Sequence, residues 1–316
     1  MNIGIVYLLS QKNVSYYCPE TSSVLLVSSS IFSYGVLVTV SLEVPKKQPI
    51  PSSSRIQVKI GQITFGGPAF VVIAGPCSIE SEDQFLKTAT AVKSAGASVL
   101  RGGIWKMRTS PTSFQGLGTS ALSYIKSVKE KTGMPLISEV VDPRHIDSIY
   151  DMVDAFQVGA RNMHNYELLK ELGKQNKPVM LKRNFSAYVE EWFKASDYIT
   201  QGGNNQIILC ERGIRTFETA TRNTLDLNSV VYAKKYSPFP VIVDPSHAIG
   251  ISDLVPQICY ASAAVGADGI IVEVHPEPNV ALSDAEQALD FNQFDKMMRQ
   301  LERVLLAFDR PLQKLV

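Results

Sequence analysis

The sequence predicts an α/β fold, a (β/α)8 TIM barrel with an N-terminal β-hairpin and a short atypical N-terminal extension. Three observations carry that prediction. From Phe70 onward, short β-rich runs alternate with helix-length amphipathic segments, and eight such runs can be counted. The runs are continuously apolar rather than alternating, as expected of parallel strands covered on both faces. Eight units within roughly 250 residues match such a barrel in count and length. A doubly wound open sheet is the alternative, but it would normally have fewer strands. No GxGxxG fingerprint follows an early strand.

In chain order the runs are Phe70–Ala74, Ser98–Arg101, Pro135–Glu139, Phe156–Gly159, Pro178–Lys182, Gln206–Cys210, Pro240–Val243 and Gly269–Val272. Proline stands first in three of them, where a strand tolerates it. Helical spacing appears over Glu82–Ala95, Thr119–Lys131, Asn165–Leu172, Ser186–Thr200, Asp253–Val265 and Asp284–Phe308. Ahead of the barrel, Ile56 to Phe65 alternates around Gly61-Gln62 and reads as a β-hairpin. Residues 1–54 are set apart as extension and linker, and 55–316 as the catalytic barrel. From Thr21 to Leu42 the chain has no charge and seven serines, which reads as short strands or a loosely ordered extension rather than a membrane helix. No Arg precedes Arg55, which fits poorly with signal or transit peptides.

With 45% hydrophobic and 19% charged residues and a net charge of +1, the chain has no global attraction for nucleic acid or anionic membrane. The four cysteines (Cys18, Cys77, Cys210, Cys259) form no CxxC and no disulfide-like spacing, so a reducing, cytoplasmic setting is expected.

In a barrel of this kind the chemistry lies where strands end. Seven cations stand at those ends: Arg101, Lys106, Arg108, Arg161, Lys182, Arg183 and Arg212. Any one is better read as a surface ion-pair partner, but scattered surface charge has no reason to respect strand ends. Together they predict a pocket for phosphate and carboxylate groups, with arginine favouring bidentate contacts. The segment Leu100–Gly118 adds Thr109, Ser110, Ser113 and flexible glycines to three of these cations.

A second group, Cys77, His247 and Glu273, follows strands one, seven and eight, which are neighbours in a closed barrel; Asp284 lies in the loop after strand eight. Thiolate, imidazole and carboxylates suit a borderline divalent ion such as Zn, Fe or Mn. Each also has a plainer reading: Cys77 as a small buried apolar group, His247 as a general base, Asp284 as the N-cap of the last helix. His275 is a competing ligand by position. His145 and His164 read as helix-start polar residues, and Cys210 and Cys259 as core.

Long motifs then carry a resemblance: AGPCSIES (74–81), RGG…RTSPTSFQGLG, QVGARN (157–162), LKRN (181–184), ILCERGIRTFE (208–218), DPSH (244–247) and IIVEVHPEP (270–278). From about Ile56 to Phe308 the chain resembles the 3-deoxy-D-arabino-heptulosonate 7-phosphate (DAHP) synthases, of the short type akin to 3-deoxy-D-manno-octulosonate 8-phosphate synthases. The resemblance implies condensation of phosphoenolpyruvate with erythrose 4-phosphate, the first step of the shikimate pathway. It further implies a homo-oligomer, dimer or tetramer.

By the same resemblance, Cys77, His247, Glu273 and Asp284 would hold one divalent ion (Mn, Fe, Zn or Co). Arg101, Lys106, Arg161, Lys182 and Arg212 would contact phosphoenolpyruvate, and Arg108 and Thr109 the aldose phosphate. Lys106, His247 and a carboxylate such as Glu139 are candidates to move protons. Two departures stand out: Met107 where the family has proline, and Ala248–Ser252 where relatives often carry glycine and arginine. Relatives often carry a ferredoxin-like or chorismate mutase domain at the N-terminus, and residues 1–45 are too short for either in complete form. The rival readings are the octulosonate enzyme, marked by KANRSS at the Lys106 loop, and a non-catalytic barrel that senses phosphorylated metabolites.

Overall fold

The computed structural model describes residues 13–18, 23–32 and 35–43 at the level of the backbone and 47–315 in full. The chain divides into two compact units, Met1–Pro49 and Ile50–Val316. In the first, β1 (Asn13–Cys18), β2 (Ser23–Phe32) and β3 (Gly35–Glu43) form an antiparallel sheet in that order. The remainder of the stretch expected to be strands or loose extension lies outside the described residues.

The second unit opens with the expected hairpin, β4 (Val58–Ile60) and β5 (Ile63–Phe65), paired across Gly61-Gln62. Eight parallel strands follow and close into a barrel. They are β6 (Val71–Gly75), β7 (Val99–Arg101), β8 (Leu136–Glu139), β9 (Ala155–Val158), β10 (Val179–Lys182), β11 (Ile207–Glu211), β12 (Val241–Val243) and β13 (Gly269–Glu273). Each lies within a residue of its expected place at either end.

The helices are α1 (Glu82–Ser94), α2 (Leu122–Thr132), α3 (Ile146–Ile149), α4 (Tyr166–Gly173), α5 (Val189–Gln201), α6 (Leu227–Tyr236), α7 (Pro245–Ile249), α8 (Val255–Ala264) and α9 (Phe291–Leu306). Helical spacing alone does not reveal α3 and α7, each about one turn long, or α6. The last helix also starts later than expected. Its N-cap is Asp290, in a capping box with Gln293, and not Asp284.

Strand residues two apart share a face, and that parity organises the barrel. Val71, Ile73, Val99, Ile137, Ala155, Met180, Ile208, Cys210, Ile242 and Ile271 fill the interior together with Val58, Ile60, Ile63 and Phe65 of the hairpin. The hairpin therefore plugs the N-terminal mouth, with Gly61 against Pro135 and Gly66 against Pro240, residues that precede two barrel strands. The opposite parity, including Val72, Leu100, Leu136, Phe156, Leu181, Leu209, Val243 and Val272, packs under the helices. Continuing the inward parity toward the C-terminal ends of the strands exchanges apolar residues for Arg101, Glu139, Gln157, Lys182, Asp244 and Glu273. The apolar plug below leaves these polar groups only one open side.

Because Phe65 is fully buried in that plug, Phe65→Ala is expected to cost about 3–5 kcal/mol. Thermal unfolding followed by circular dichroism checks this: the midpoint should fall by several degrees.

Candidate active site

A cavity of about 400 Å³ opens at the C-terminal ends of the strands. Eight cations line it: Arg101, Lys106, Arg108, Arg161, Lys182, Arg212, Arg215 and Arg222. The structure thus gathers six of the seven expected cations and adds two. Arg183 is the exception. It falls on the parity of Val179 and Leu181, which faces the helices, and there it meets buried Glu211 at 3.1 Å and Asp226 at 3.0 Å. Burial raises the pKa of Glu211, against the pull of Arg183. Arg183 belongs to a structural ion-pair network beneath α6.

Arg215 and Arg222 escape sequence reasoning because they follow the end of β11 by several residues. The chain turns back there, pairing Ile214 with Thr224, and Asn223 donates its side-chain amide to the His247 carbonyl at 3.0 Å. Gly250 (φ +74°) makes room for this return, since a Cβ there would stand 2.5 Å from that of Arg222. The departure at Ala248–Ser252 is therefore the surface on which the β11 loop rests, with Arg222 N–H donating to the Ile249 carbonyl at 3.1 Å.

Carboxylates at the strand ends hold part of the positive charge in place. Arg101 Nη2 lies 3.0 Å from Glu273 Oε1, Lys106 Nζ 3.8 Å from Glu139 Oε2, and Lys182 pairs with Asp244. Burial opposes ionisation of Asp244, but His247 and Lys182 outweigh it and hold its pKa well below the usual carboxylate range. Burial likewise opposes the charge on Lys106. Cys77, Glu139 and Glu273 more than offset it, so the ammonium pKa is raised and Lys106 is a proton holder. Gly159 allows Glu139 its place, because a Cβ on that glycine would lie 2.0 Å from Glu139 Oε1. Arg212 is buried with no carboxylate in ion-pair range among the described residues, and burial lowers its pKa. A buried guanidinium in that state favours an incoming anion.

The loop Leu100–Gly118 is pinned at both ends, Gly118 N–H to the Ile104 carbonyl at 3.1 Å and Lys106 N–H to the Gln115 carbonyl at 2.8 Å. Trp105 stacks on His145 with ring centroids 4.0 Å apart. Arg161 donates to the Met107 carbonyl at 2.9 Å. That contact uses only the backbone carbonyl, which proline also possesses, so the Met107 departure leaves it intact. Arg108 and Thr109 line the cavity from this loop.

His247 and Asp284 line the cavity at its floor, and one ligand atom from each of Cys77, His247, Glu273 and Asp284 lies within 4.8 Å of the others. Cys77 Sγ donates to Asp284 Oδ2 at 3.0 Å, and burial pushes its thiol pKa up. His247 presents Nδ1 to Asp244 Oδ2 at 2.8 Å, leaving Nε2 3.3 Å from Glu273 Oε1 and 3.9 Å from Asp284 Oδ2. Asp284 stands in the left-handed region at φ 50°, a strained setting typical of functional positions. The group fits a divalent ion by two observations. Its donor set is of the borderline type, and Glu273 Oε1 is fully buried without a well-directed hydrogen bond, its neighbours being Arg101 Nη2 at 3.0 Å and His247 Nε2 at 3.3 Å. His275 stands apart from this group, 3.4 Å from Glu80.

The description "DAHP synthetase I family" belongs to a family model that matches residues 44–307. The chain belongs to that family. It is 47% identical over 247 residues to phospho-2-dehydro-3-deoxyheptonate aldolase of Thermotoga maritima, covering 78% of this chain and 73% of the relative. The crystal structure of the DAHP synthase from that organism superposes with a TM-score of 0.82 at 38% identity, over 92% of each chain. A 2-dehydro-3-deoxyphosphooctonate aldolase from Dichelobacter nodosus is 31% identical, over 73% of this chain and 89% of that one. The chain is an enzyme of the DAHP synthase type. No helix among the described residues is long and apolar enough to cross a membrane.

The two arginines with different surroundings make a paired expectation. Arg183→Met strands Glu211 and should cost about 3–5 kcal/mol. Arg212→Met removes a charge with no carboxylate in ion-pair range among the described residues and should leave the melting temperature within a few degrees. Inorganic phosphate should raise the melting temperature of the unaltered protein and of Arg183→Met, but not of Arg212→Met.

Proposed function

We propose that the chain condenses phosphoenolpyruvate with erythrose 4-phosphate to give DAHP and phosphate, at the head of the shikimate pathway. The observation that carries this reading is one cavity with eight cations on its walls, lined also by His247 and Asp284, which cluster with Cys77 and Glu273. Two anionic substrates need such a charge density, and the +1 net charge of the chain means that it is concentrated here by the fold. In this reading Arg101, Lys106, Arg161, Lys182 and Arg212 hold the phosphate and carboxylate of phosphoenolpyruvate. Arg108 and Thr109, on the pinned loop, hold the aldose phosphate.

Positioning and preset charge supply most of the rate. C3 of phosphoenolpyruvate bonds to the aldehyde carbon, water adds at C2, and C–O cleavage releases phosphate. Lys106, held protonated beside Glu139, donates toward the oxygen on which negative charge develops, and Glu139 takes a proton from the attacking water. His247 keeps its Nε2 toward the floor because Asp244 occupies Nδ1. A divalent ion (Mn, Fe, Zn or Co) held by Cys77, His247, Glu273 and Asp284 would supply Lewis-acid polarisation of a carbonyl. Under the same reading, residues 1–54 are extension and linker to the barrel at 55–316, and the enzyme is a cytoplasmic homo-oligomer.

The named octulosonate relative keeps a second acceptor, arabinose 5-phosphate, in view. Phosphate release from phosphoenolpyruvate should require erythrose 4-phosphate, and arabinose 5-phosphate should support less than a tenth of that rate. Turnover with arabinose 5-phosphate alone would overturn the assignment. Dialysis against a chelator should abolish the activity and Mn should restore it. Cys77→Ala should lower the rate by about 100-fold or more, and an unchanged rate would remove the metal from the reading.

A further inference from the structure

Glu273 is divided between two sets of partners. Its Oε1 faces Arg101 and His247. Its Oε2 accepts a hydrogen bond at 2.7 Å from the side-chain amide of Gln287, a residue 2% exposed in the short turn between Asp284 and α9. The same amide uses its oxygen to accept from Arg222 Nη1, and Arg222 also stands 3.4 Å from Asp284 Oδ1. The donor faces a carboxylate and the acceptor faces a guanidinium, so only one orientation of the amide satisfies both. One buried bond then holds the Glu273 carboxylate from behind, and the partly exposed Arg222 holds the amide that makes it.

We infer that Gln287 is a positioning residue for the metal group. By engaging Glu273 Oε2 it leaves Oε1 alone as the donor at the cavity floor, and through Arg222 it ties that carboxylate to Asp284. Neither the spacing of the motifs nor any residue of the ligand set points to Gln287, which lies 14 positions beyond Glu273 and touches it only through the fold. Without the amide, Oε2 is free to turn toward the floor and Glu273 can change from one donor oxygen to two. Outer partners of this kind typically govern ligand orientation and are worth 10–100-fold in metal affinity. The inference rests on the proposed metal site, and its test separates the two.

Apo-protein is titrated with Co(II), followed by competition with a chromogenic chelator and by the visible spectrum. The unaltered protein should bind one ion and show a thiolate-to-cobalt band from Cys77. Gln287→Met, close in volume but without either bond, should bind about 10–100-fold more weakly. It should keep the thiolate band and shift the d–d bands, as a change in Glu273 denticity requires. If Gln287→Met does not fold, Gln287→Asn serves in its place, since an amide one methylene shorter cannot reach both partners, and the same shift is expected. Affinity and d–d bands unchanged from the unaltered protein in a folded variant would overturn the role of Gln287. Failure of the unaltered protein to take up Co(II) would remove the metal site and the inference with it.

Discussion

Two carboxylates, Asp244 and Glu273, are fully buried at the ends of adjacent strands, and each stands between a cation and the His247 imidazole. Asp244 pairs with Lys182 and with His247 Nδ1, and it caps α7 by accepting from the His247 N–H at 3.0 Å. Glu273 faces Arg101 and His247 from one oxygen and Gln287 from the other. Without them, Lys182 and Arg101 would stand buried beside the His247 imidazole in a cation-lined cavity with no carboxylate of their own, a costly arrangement. With them, Lys182, Arg101 and His247 have fixed directions before any ligand arrives. Preorganisation of this kind is the condition for electrostatic catalysis.

The charge balance also divides the cations by task. Those with a carboxylate partner (Arg101, Lys106, Lys182) have their directions set by it. Arg212 has none among the described residues, and Arg161 is held by a backbone carbonyl of the facing loop. These retain the unspent attraction for an anion. Arg183 belongs to neither group, since its guanidinium is spent on Glu211 and Asp226 outside the barrel wall. The protein can thus carry a strongly cationic cavity at a net charge of +1.

Rigidity is distributed to match. The plugged N-terminal mouth, with Phe65 and the isoleucines of the hairpin, carries stability and no chemistry. The opposite mouth carries the loops. The loop at 100–118 is tied at two backbone points and by the Trp105–His145 stack, and the β11 loop is tied across α7. Cavity residues on loops therefore sit against fixed neighbours, which keeps Arg108, Thr109 and Arg222 in range without placing them on a strand.

The eight strands were legible because each is a short apolar run of fixed length between turn residues, and local pattern suffices for that. The cluster of Cys77, His247 and Glu273 was legible too, because strand order in a closed barrel makes their strands neighbours. Parity along the strands was present in the sequence as well, and it separates Arg183 from Lys182; counting strand ends alone overlooks it. Asp284 as a helix cap was a local pattern that the fold overrides, since the capping box at Asp290 and Gln293 is the stronger one. Arg215, Arg222 and Gln287 were not legible. Their places depend on a loop turning back over α7 and on a turn folding under the floor, contacts between residues tens of positions apart that no periodicity encodes. The sequence by itself determined the barrel and its polar rim. Only the tertiary structure decided which cations are already paired and which partners each oxygen of Glu273 meets, because burial and distance, not residue type, set the electrostatic energy of each.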